Sequence, residues 1–402
     1  MATSPNSIRI LVTGGGSGGH ATPALATIEA IEELAGEDGS WKPTFLYVGS
    51  HKGIERPLAQ AAAIPYTAIA TGKLRRSRHL LGHFSGQNIL DVLRLPWGVL
   101  QALTVVIRFR PHVILSTGGF VCVPPVIAGS LLRVPVLTHE QTVQMGLANR
   151  IASRMANRVA LTFDSAREDL PGRLQDKALV TGNPVRPVIF NGNREAALEL
   201  AGFPADSDLP TVYVTGGALG AQHINRAVEE SLPDLLAMCR IIHQCGRQNT
   251  DGLSEVDRLR GVRSTLPKHL QDRYHVVDFV ADEIGHFYAL AEVVVSRSGA
   301  GTLAELFALG KPAILIPLVP TGGDEQRRNA QHAQNAGAAH IIEQADISGE
   351  RLCKELRAVL GDGENRQSMS VSAKRLALPD AAKHLAATVI ALAGVRPRDG
   401  QA

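Results

Sequence analysis

The chain has 402 residues, 45% hydrophobic and 20% charged, with 41 Lys and Arg against 38 Asp and Glu. That length and balance fit a folded protein of two or three domains. They exclude a disordered, collagen-like or coiled-coil chain, and a net charge of +3 argues against a bulk nucleic-acid binder.

The N-terminal residues MATSPNSIRI carry no basic-then-apolar leader pattern. Ile8–Val12 reads as a strand, followed by a glycine run, His20 and helical periodicity over Thr22–Leu34. Thr44–Val48, Val113–Ser116, Val134–Thr138 and Val159–Thr162 are further strand candidates. The longest uncharged run, from Val113 to Leu132, has the length to span a bilayer. Gly118-Gly119 and Pro124-Pro125 interrupt it, so it reads as a buried strand, a glycine loop and a helix. No transmembrane segment is expected.

The second half offers strands at Thr211–Thr215, Arg240–Gln244, His275–Phe279, Val293–Ser296 and Ala313–Pro317. Thr302–Leu309, Gln326–Ala336 and Asp380–Ala393 read as helices. Strands alternating with helices imply parallel sheets covered on both faces. Residues 12–19 read VTGGGSGG and residues 214–221 read VTGGALGA, each after a strand and before a helix. The echo predicts two similar α/β domains. The boundary is expected in the Gly-, Asn-, Asp- and Pro-punctuated stretch Pro187–Asp208. The predicted division is 1–187, 188–380, and a last helix and tail over 381–402. That last helix is expected to pack back on the first domain.

Charge is unevenly divided. Residues 1–186 carry 19 basic and 12 acidic side chains, and residues 187–402 carry 22 basic and 26 acidic. Between Glu55 and Glu140 the only acid is Asp91, against nine Lys and Arg. The four cysteines, Cys122, Cys239, Cys245 and Cys353, form no C-x-x-C pair, so neither a disulfide framework nor a zinc site is expected.

Gly14, Gly16 and Gly19 satisfy G-x-G-x-x-G, whose glycines let amides approach an anion at a helix N-terminus. A dinucleotide site also needs an acid at the end of the second strand, and Gly49-Ser50 stand there instead. No Lys-Ser/Thr follows, so a Walker A loop fails too. What remains is a backbone cradle for a diphosphate or a sugar, with His20 at its rim as a functional group or a helix-capping imidazole. The turn Gly216–Ala221 repeats the cradle. Ser296–Thr302 ends a strand in small residues before a helix, which suits a phosphate, and Glu305 lies one turn inside, either gripping ribose hydroxyls or simply solvated. Gln326 and Asn329 share a helix face at the end of the polar loop Pro320–Gln326, where their amides suit sugar hydroxyls and Asp324 suits an N-cap.

Taken in order, Gly14–Ala26, Gly72–Arg76, Gly118–Val121, His139–Gln141, Gly146–Arg150, Gly182–Arg186 and Ser298–Glu305 resemble the MurG-type N-acetylglucosaminyltransferases of peptidoglycan synthesis. The resemblance covers about residues 8–345. It implies a GT-B fold, two Rossmann-like parallel-sheet domains facing across a cleft. It implies transfer of N-acetylglucosamine from UDP-N-acetylglucosamine to an undecaprenyl-linked acceptor, lipid I to lipid II, at the cytoplasmic membrane face. Ser298, Gly299, Ala300 and Thr302 match the diphosphate and uridine loop, Glu305 the ribose acid, and Val280 the backbone that reads uracil. Gln326 and Asn329 match the donor-sugar loop, and Arg186 an arginine that contacts the donor. Ser17, Gly18, Gly19 and His20 match the acceptor side, with His20 as the base. Ala218-Leu219 stand where the family has Ser-Gln, Thr142 stands for Asn, and Cys122 for Ser.

The implied mechanism is a metal-independent direct displacement with inversion, and no cofactor is expected. Lys73, Arg75, Arg76 and Arg78 lie beside Leu74, Leu80, Leu81 and Phe84, and an apolar run from Trp97 to Ile107 lies between Arg94 and Arg108. Such a stretch reads as a docking face for an anionic membrane, or as a core helix with exposed arginines. Alternatives are transfer to another lipid or metabolite, a UDP-sugar epimerase, or a UDP-sugar-binding protein without catalysis.

Overall fold

The structure is a computed structural model. It describes residues 6–72, 86–217, 219–247, 249–250, 253–320 and 324–395. The chain forms two compact units, Met1–Val185 with Leu378–Ala402, and Arg186–Ala377.

The first unit holds seven parallel strands: β1 (Asn6–Thr13), β2 (Trp41–Ser50), β3 (Tyr66–Ile69), β4 (Val113–Ser116), β5 (Val136–Glu140), β6 (Arg158–Leu161) and β7 (Ala178–Val180). Their order is β3-β2-β1-β4-β5-β6-β7. Every residue of β4 and β5 is buried, because helices cover both faces of a parallel sheet. Ile10, Leu115, Leu137 and Tyr47 pack with the helix Gly18–Asp38 on one face. Leu385, Ala386, Val389 and Ile390 of the helix Ala381–Leu392 complete that core. Leu11, Ile114 and Val136 pack on the other face. The stretch from Val113 to Leu132 is β4, a glycine turn, a short 3-10 segment and the helix Val123–Leu131. Its two prolines fall in the first helical turn, where a missing N–H does no harm.

The second unit repeats the plan with β8 (Thr211–Thr215), β9 (Arg240–Gln244), β12 (Tyr274–Val277), β13 (Val293–Ser296), β14 (Ala313–Leu315) and β15 (Ala339–Ile341). Between β9 and β12 in the chain, β10 (Asn249–Thr250) and β11 (Leu253–Ser254) form a separate antiparallel pair. The six parallel strands run β12-β9-β8-β13-β14-β15. Val212, Val214, Ile241, Val293, Val295 and Ile314 are its buried centre.

Both sheets reverse strand order beside their opening strand, at β1/β4 and at β8/β13. Open α/β sheets bind ligands at the C-terminal ends of strands at such a switch point. The glycine turns after β1 and β8 lie there. Gly119 shows why glycine is needed: its φ is 78° and an added Cβ would collide with the Gly15 carbonyl. Gly220, with φ 78°, is likewise pressed against the Cys245 carbonyl. Among the described residues no helix is long and apolar enough to cross a membrane. The run Lys73–Phe84 and Ala218 lie outside the described residues.

Candidate functional site

In the first unit the loop after β1 is pinned from three sides. The Tyr47 hydroxyl donates to the Gly14 carbonyl at 2.7 Å. The Gly15 amide donates to the Gly118 carbonyl at 3.2 Å. The Gly16 amide donates to Glu55 Oε2 at 3.0 Å. These two amides are therefore not open to a ligand, which narrows the expected cradle. The open donors lie in the first turn of the helix Gly18–Asp38, where the amides of Gly18 and Gly19 have no intrahelical acceptor. Ser17 stands at the N-cap in an extended conformation, and its hydroxyl makes no capping bond.

Glu55 is fully buried and was not foreseen. The expected acid at the end of β2 is absent, but this carboxylate reaches the same turn from five residues farther on. Its Oε1 accepts from the Ser50 amide at 2.9 Å and the Ser50 hydroxyl at 2.6 Å. Burial pushes its pKa up, but the hydrogen bonds from Ser50 and Gly16 outweigh it and lower the pKa overall. A depressed folded value adds stability that is complete above the unfolded value of about 4.3 and is lost as pH falls through the folded one. Glu55→Gln should destabilise the unit by about 2 kcal/mol, because an amide N–H would face a donor. The gap between variant and wild type in urea melts should narrow below about pH 4. A gap independent of pH would contradict the carboxylate assignment.

His20 is half-buried. Its Nδ1 lies 3.0 Å from the Thr117 carbonyl and 3.1 Å from Gln141 Oε1. Gln141 Nε2 donates to Thr117 O at 2.5 Å and points at His139 Nδ1 at 3.1 Å. His139 Nε2 lies 2.9 Å from the Gly182 carbonyl, and burial holds its pKa down to about 4. Beside them, Glu140 accepts from the Thr142 amide and hydroxyl on Oε1 and from Gly146 and Asn149 on Oε2. Its four donors fold the loop 141–146 into one shape. The Thr142 hydroxyl, at the position where the family has Asn, is turned into this loop, 2.7 Å from Glu140 and 2.5 Å from the Gln144 carbonyl.

In the second unit Thr215 Oγ1 accepts from the Gly217 amide at 3.0 Å, closing the turn after β8. Leu219 is 72% exposed there. After β13, Ser298 is fully buried, and its hydroxyl donates to the Gln326 carbonyl at 2.7 Å. Asn329 Nδ2 donates to the Ser298 carbonyl at 3.1 Å, and Gln326 Oε1 accepts from the Leu318 amide at 2.9 Å. The structure thus brings Ser298, Gln326 and Asn329 together as a brace. Asp324, expected to cap the helix Glu325–Asn335, has a left-handed backbone and makes no capping bond. Its carboxylate instead receives Arg327 at 3.0 Å.

Gly299 caps the helix Ala300–Leu309 in an extended conformation. That leaves the amides of Ala300, Gly301 and Thr302 open at its positive end. Arg297 stands next to this loop, 9% exposed, with one hydrogen bond to the Ile316 carbonyl and no carboxylate partner among the described residues. Burial lowers its pKa to about 10. Sequence reading passed it over, although it adjoins Ser298.

Glu305 and Arg186 were expected on a ligand, and here they meet each other. Arg186 Nε and Nη2 both donate to Glu305 Oε1, at 3.0 and 2.9 Å. The buried Tyr288 hydroxyl donates to Oε2 at 2.9 Å. Desolvation would lower the arginine's pKa, but Glu305 raises it overall. Val280 is buried after β12, beside an exposed Phe279 whose ring lies under the Arg247 guanidinium at 4.4 Å. All four cysteines are free and buried. Among the described residues no group of three or more His, Cys, Asp or Glu is placed to hold a metal ion.

Two family models match this chain. The glycosyltransferase family 28 N-terminal domain matches residues 10–161, and the family 28 C-terminal domain matches residues 211–385. A UDP-N-acetylglucosamine–N-acetylmuramyl-(pentapeptide) pyrophosphoryl-undecaprenol N-acetylglucosamine transferase of Bacillus thuringiensis (strain Al Hakam) is 38% identical over 358 residues, covering 89% of this chain and 92% of that protein. The crystal structure of Acinetobacter baumannii MurG has a TM-score of 0.69 at 23% identity, covering 96% of this chain and 99% of that one. A UDP-GlcNAc 2-epimerase from Neisseria meningitidis, bound to UDP-GlcNAc, has a TM-score of 0.64 at 13% identity over 96% of this chain and 100% of that one. These structural likenesses establish the two-sheet GT-B fold, which epimerases share, while the sequence relatives separate the two. The chain belongs to glycosyltransferase family 28, among the UDP-N-acetylglucosamine–N-acetylmuramyl-(pentapeptide) pyrophosphoryl-undecaprenol N-acetylglucosamine transferases.

Proposed function

We propose that the protein moves N-acetylglucosamine from UDP-N-acetylglucosamine to the undecaprenyl-linked muramyl-pentapeptide, lipid I to lipid II, in peptidoglycan synthesis. The observation that carries this reading is the 38% identity to a transferase of that name along 89% of the chain. The geometry fits it. The open amides of Ala300 and Thr302 take the donor diphosphate, with Ser298 and Gly299 shaping the loop. Glu305 takes the ribose, oriented by Arg186 and Tyr288. The backbone of Val280 meets the uracil. Gln326 and Asn329 border the donor sugar, and the turn after β8, with Gly217 and Leu219, borders the phosphates.

On the acceptor side the helix start at Ser17, Gly18 and Gly19 takes a phosphate. The acceptor hydroxyl gives its proton to His20 Nε2 as its oxygen bonds to the anomeric carbon. The bond from that carbon to UDP breaks on the opposite face, so configuration inverts. UDP keeps the electron pair, and helix amides meet the charge that develops. No cofactor takes part.

Labelled UDP-N-acetylglucosamine with a lipid I analogue should put label into the lipid fraction, with one UDP released per sugar. Conversion of the donor without any acceptor would point to an epimerase. Tight UDP binding without turnover on any acceptor would leave only a binding protein.

Membrane attachment at the cytoplasmic face belongs to the same reading. On the helix Gly86–Phe109, Trp97, Leu100 and Ile107 are each more than half exposed, at helical spacing, with exposed Arg108 and Arg110 at its end. Other apolar residues of the run, such as Val106, are buried, so the helix serves core and surface at once. Basic residues near an anionic surface contribute about 1 kcal/mol each. Trp97→Ala with Leu100→Ser should cut flotation with anionic vesicles at least about fivefold, given the apolar area removed. Unchanged flotation would move the membrane face elsewhere.

A further inference from the structure

Gln141 stands between two histidines, and its amide can be oriented without ambiguity. The atom 2.5 Å from the Thr117 carbonyl faces an acceptor, so it is the NH2. That NH2 also points at His139 Nδ1, so this nitrogen accepts. His139 then carries its proton on Nε2, where the Gly182 carbonyl receives it. On the other side Gln141 Oε1, an acceptor, faces His20 Nδ1, as does the Thr117 carbonyl. His20 Nδ1 must therefore be the protonated nitrogen. Its Nε2 keeps the lone pair and has no protein partner among the described residues.

We propose that Gln141 is a positioning residue that, together with the Thr117 carbonyl, holds His20 in the Nδ1–H tautomer and so presents an unprotonated Nε2 to the acceptor hydroxyl. The inference rests on the reading of His20 as base. A free imidazole in water favours the opposite tautomer, so an undirected His20 would more often turn an N–H toward the substrate. Gln141 supplies the direction without a charge, and it is itself held by the backbone of Thr117 and by His139. A carboxylate here would instead hold the imidazolium and keep the base protonated. The titratable neighbours do not compete: His139 is kept neutral by burial, and Glu140 is engaged by its own loop.

The test is nitrogen NMR of the histidine rings in the whole protein, with kcat at saturating acceptor measured in parallel. Wild-type His20 should be predominantly the Nδ1–H tautomer. Gln141→Met, which leaves the Thr117 carbonyl as the one acceptor on Nδ1, should shift it part of the way toward a mixture and lower kcat about tenfold, while backbone amide signals of the first unit away from the site stay in place and report its folding. Gln141→Glu should keep the Nδ1–H but make His20 hold its second proton to higher pH, so activity returns only in alkaline buffer. A wild-type His20 protonated on Nε2, or a Gln141→Met protein with unaltered tautomer and kcat, would overturn the inference. Failure of the base reading looks different: His20→Ala would retain kcat while the tautomer assignment stood.

Discussion

Alanine at position 20 should lower kcat by about 10²–10⁴-fold, the range a positioned general base supplies, and leave the affinity for UDP unchanged. The separation follows from the architecture. His20 sits in the first turn of the helix Gly18–Asp38, in the first unit. Arg186, Tyr288, Ser298 and Glu305 all belong to the second. The loss should sit in kcat rather than KM, because the proton moves only as the new bond forms. Stability should change little, since the half-buried ring makes hydrogen bonds through one nitrogen only. Steady-state rates with the acceptor saturating, beside a UDP titration, check both halves. A near-wild-type kcat would assign the proton transfer to another group and leave His20 an orienting role.

Much of the scaffold was legible because its signals are local. β8, β9 and β13 match their expected spans end to end, each built on a short β-branched or aromatic run (212–214, 241–242 and 293–295), although β9 also buries Arg240, His243 and Gln244. Of the edge strands of the two parallel sheets, β12 was expected one residue late, at His275–Phe279, and the other three were not. β3, β7 and β15 are three or four residues long, too short for an alternating or apolar pattern to stand out. β5 runs to Glu140, two residues past the expected Thr138, because the buried His139 and Glu140 look like loop residues until their tertiary partners are known. The helix expected over Thr22–Leu34 begins at Gly18 and ends at Asp38. Glycines at a helix start read as loop, and only the Gly39 left-handed cap marks the true end.

The site divides the same way. Glycine turns, His20 and Glu305 could be read from a few neighbouring residues. Their partners could not. Glu55 meets Gly16 across 39 positions, Gln141 meets His20 across 121, and Arg186 meets Glu305 across 119. No local pattern encodes which distant side chain satisfies a buried donor. The structural requirement that buried polar groups find partners identifies them only once the chain is folded.

That requirement is sharpest at Glu305. Arg186→Met should destabilise the second unit by about 3 kcal/mol, the lower end for breaking a buried ion pair, because the arginine is partly exposed while the carboxylate it leaves behind is not. Glu305→Leu alone should also destabilise, leaving the Arg186 guanidinium and the Tyr288 hydroxyl without their acceptor. The double variant should recover much of the loss, since two apolar groups of similar size carry no desolvation penalty. Donor binding should behave differently. Loss of Glu305 removes the proposed ribose acceptor, so UDP affinity should stay at least about tenfold down in the double variant, worth about 1.4 kcal/mol. Urea melts and UDP titrations on the three variants separate the two effects. If the double variant lost the simple sum of the single losses, the residues would not be acting as a buried pair. If it recovered UDP affinity together with stability, Glu305 would be a structural carboxylate and the ribose would be held elsewhere.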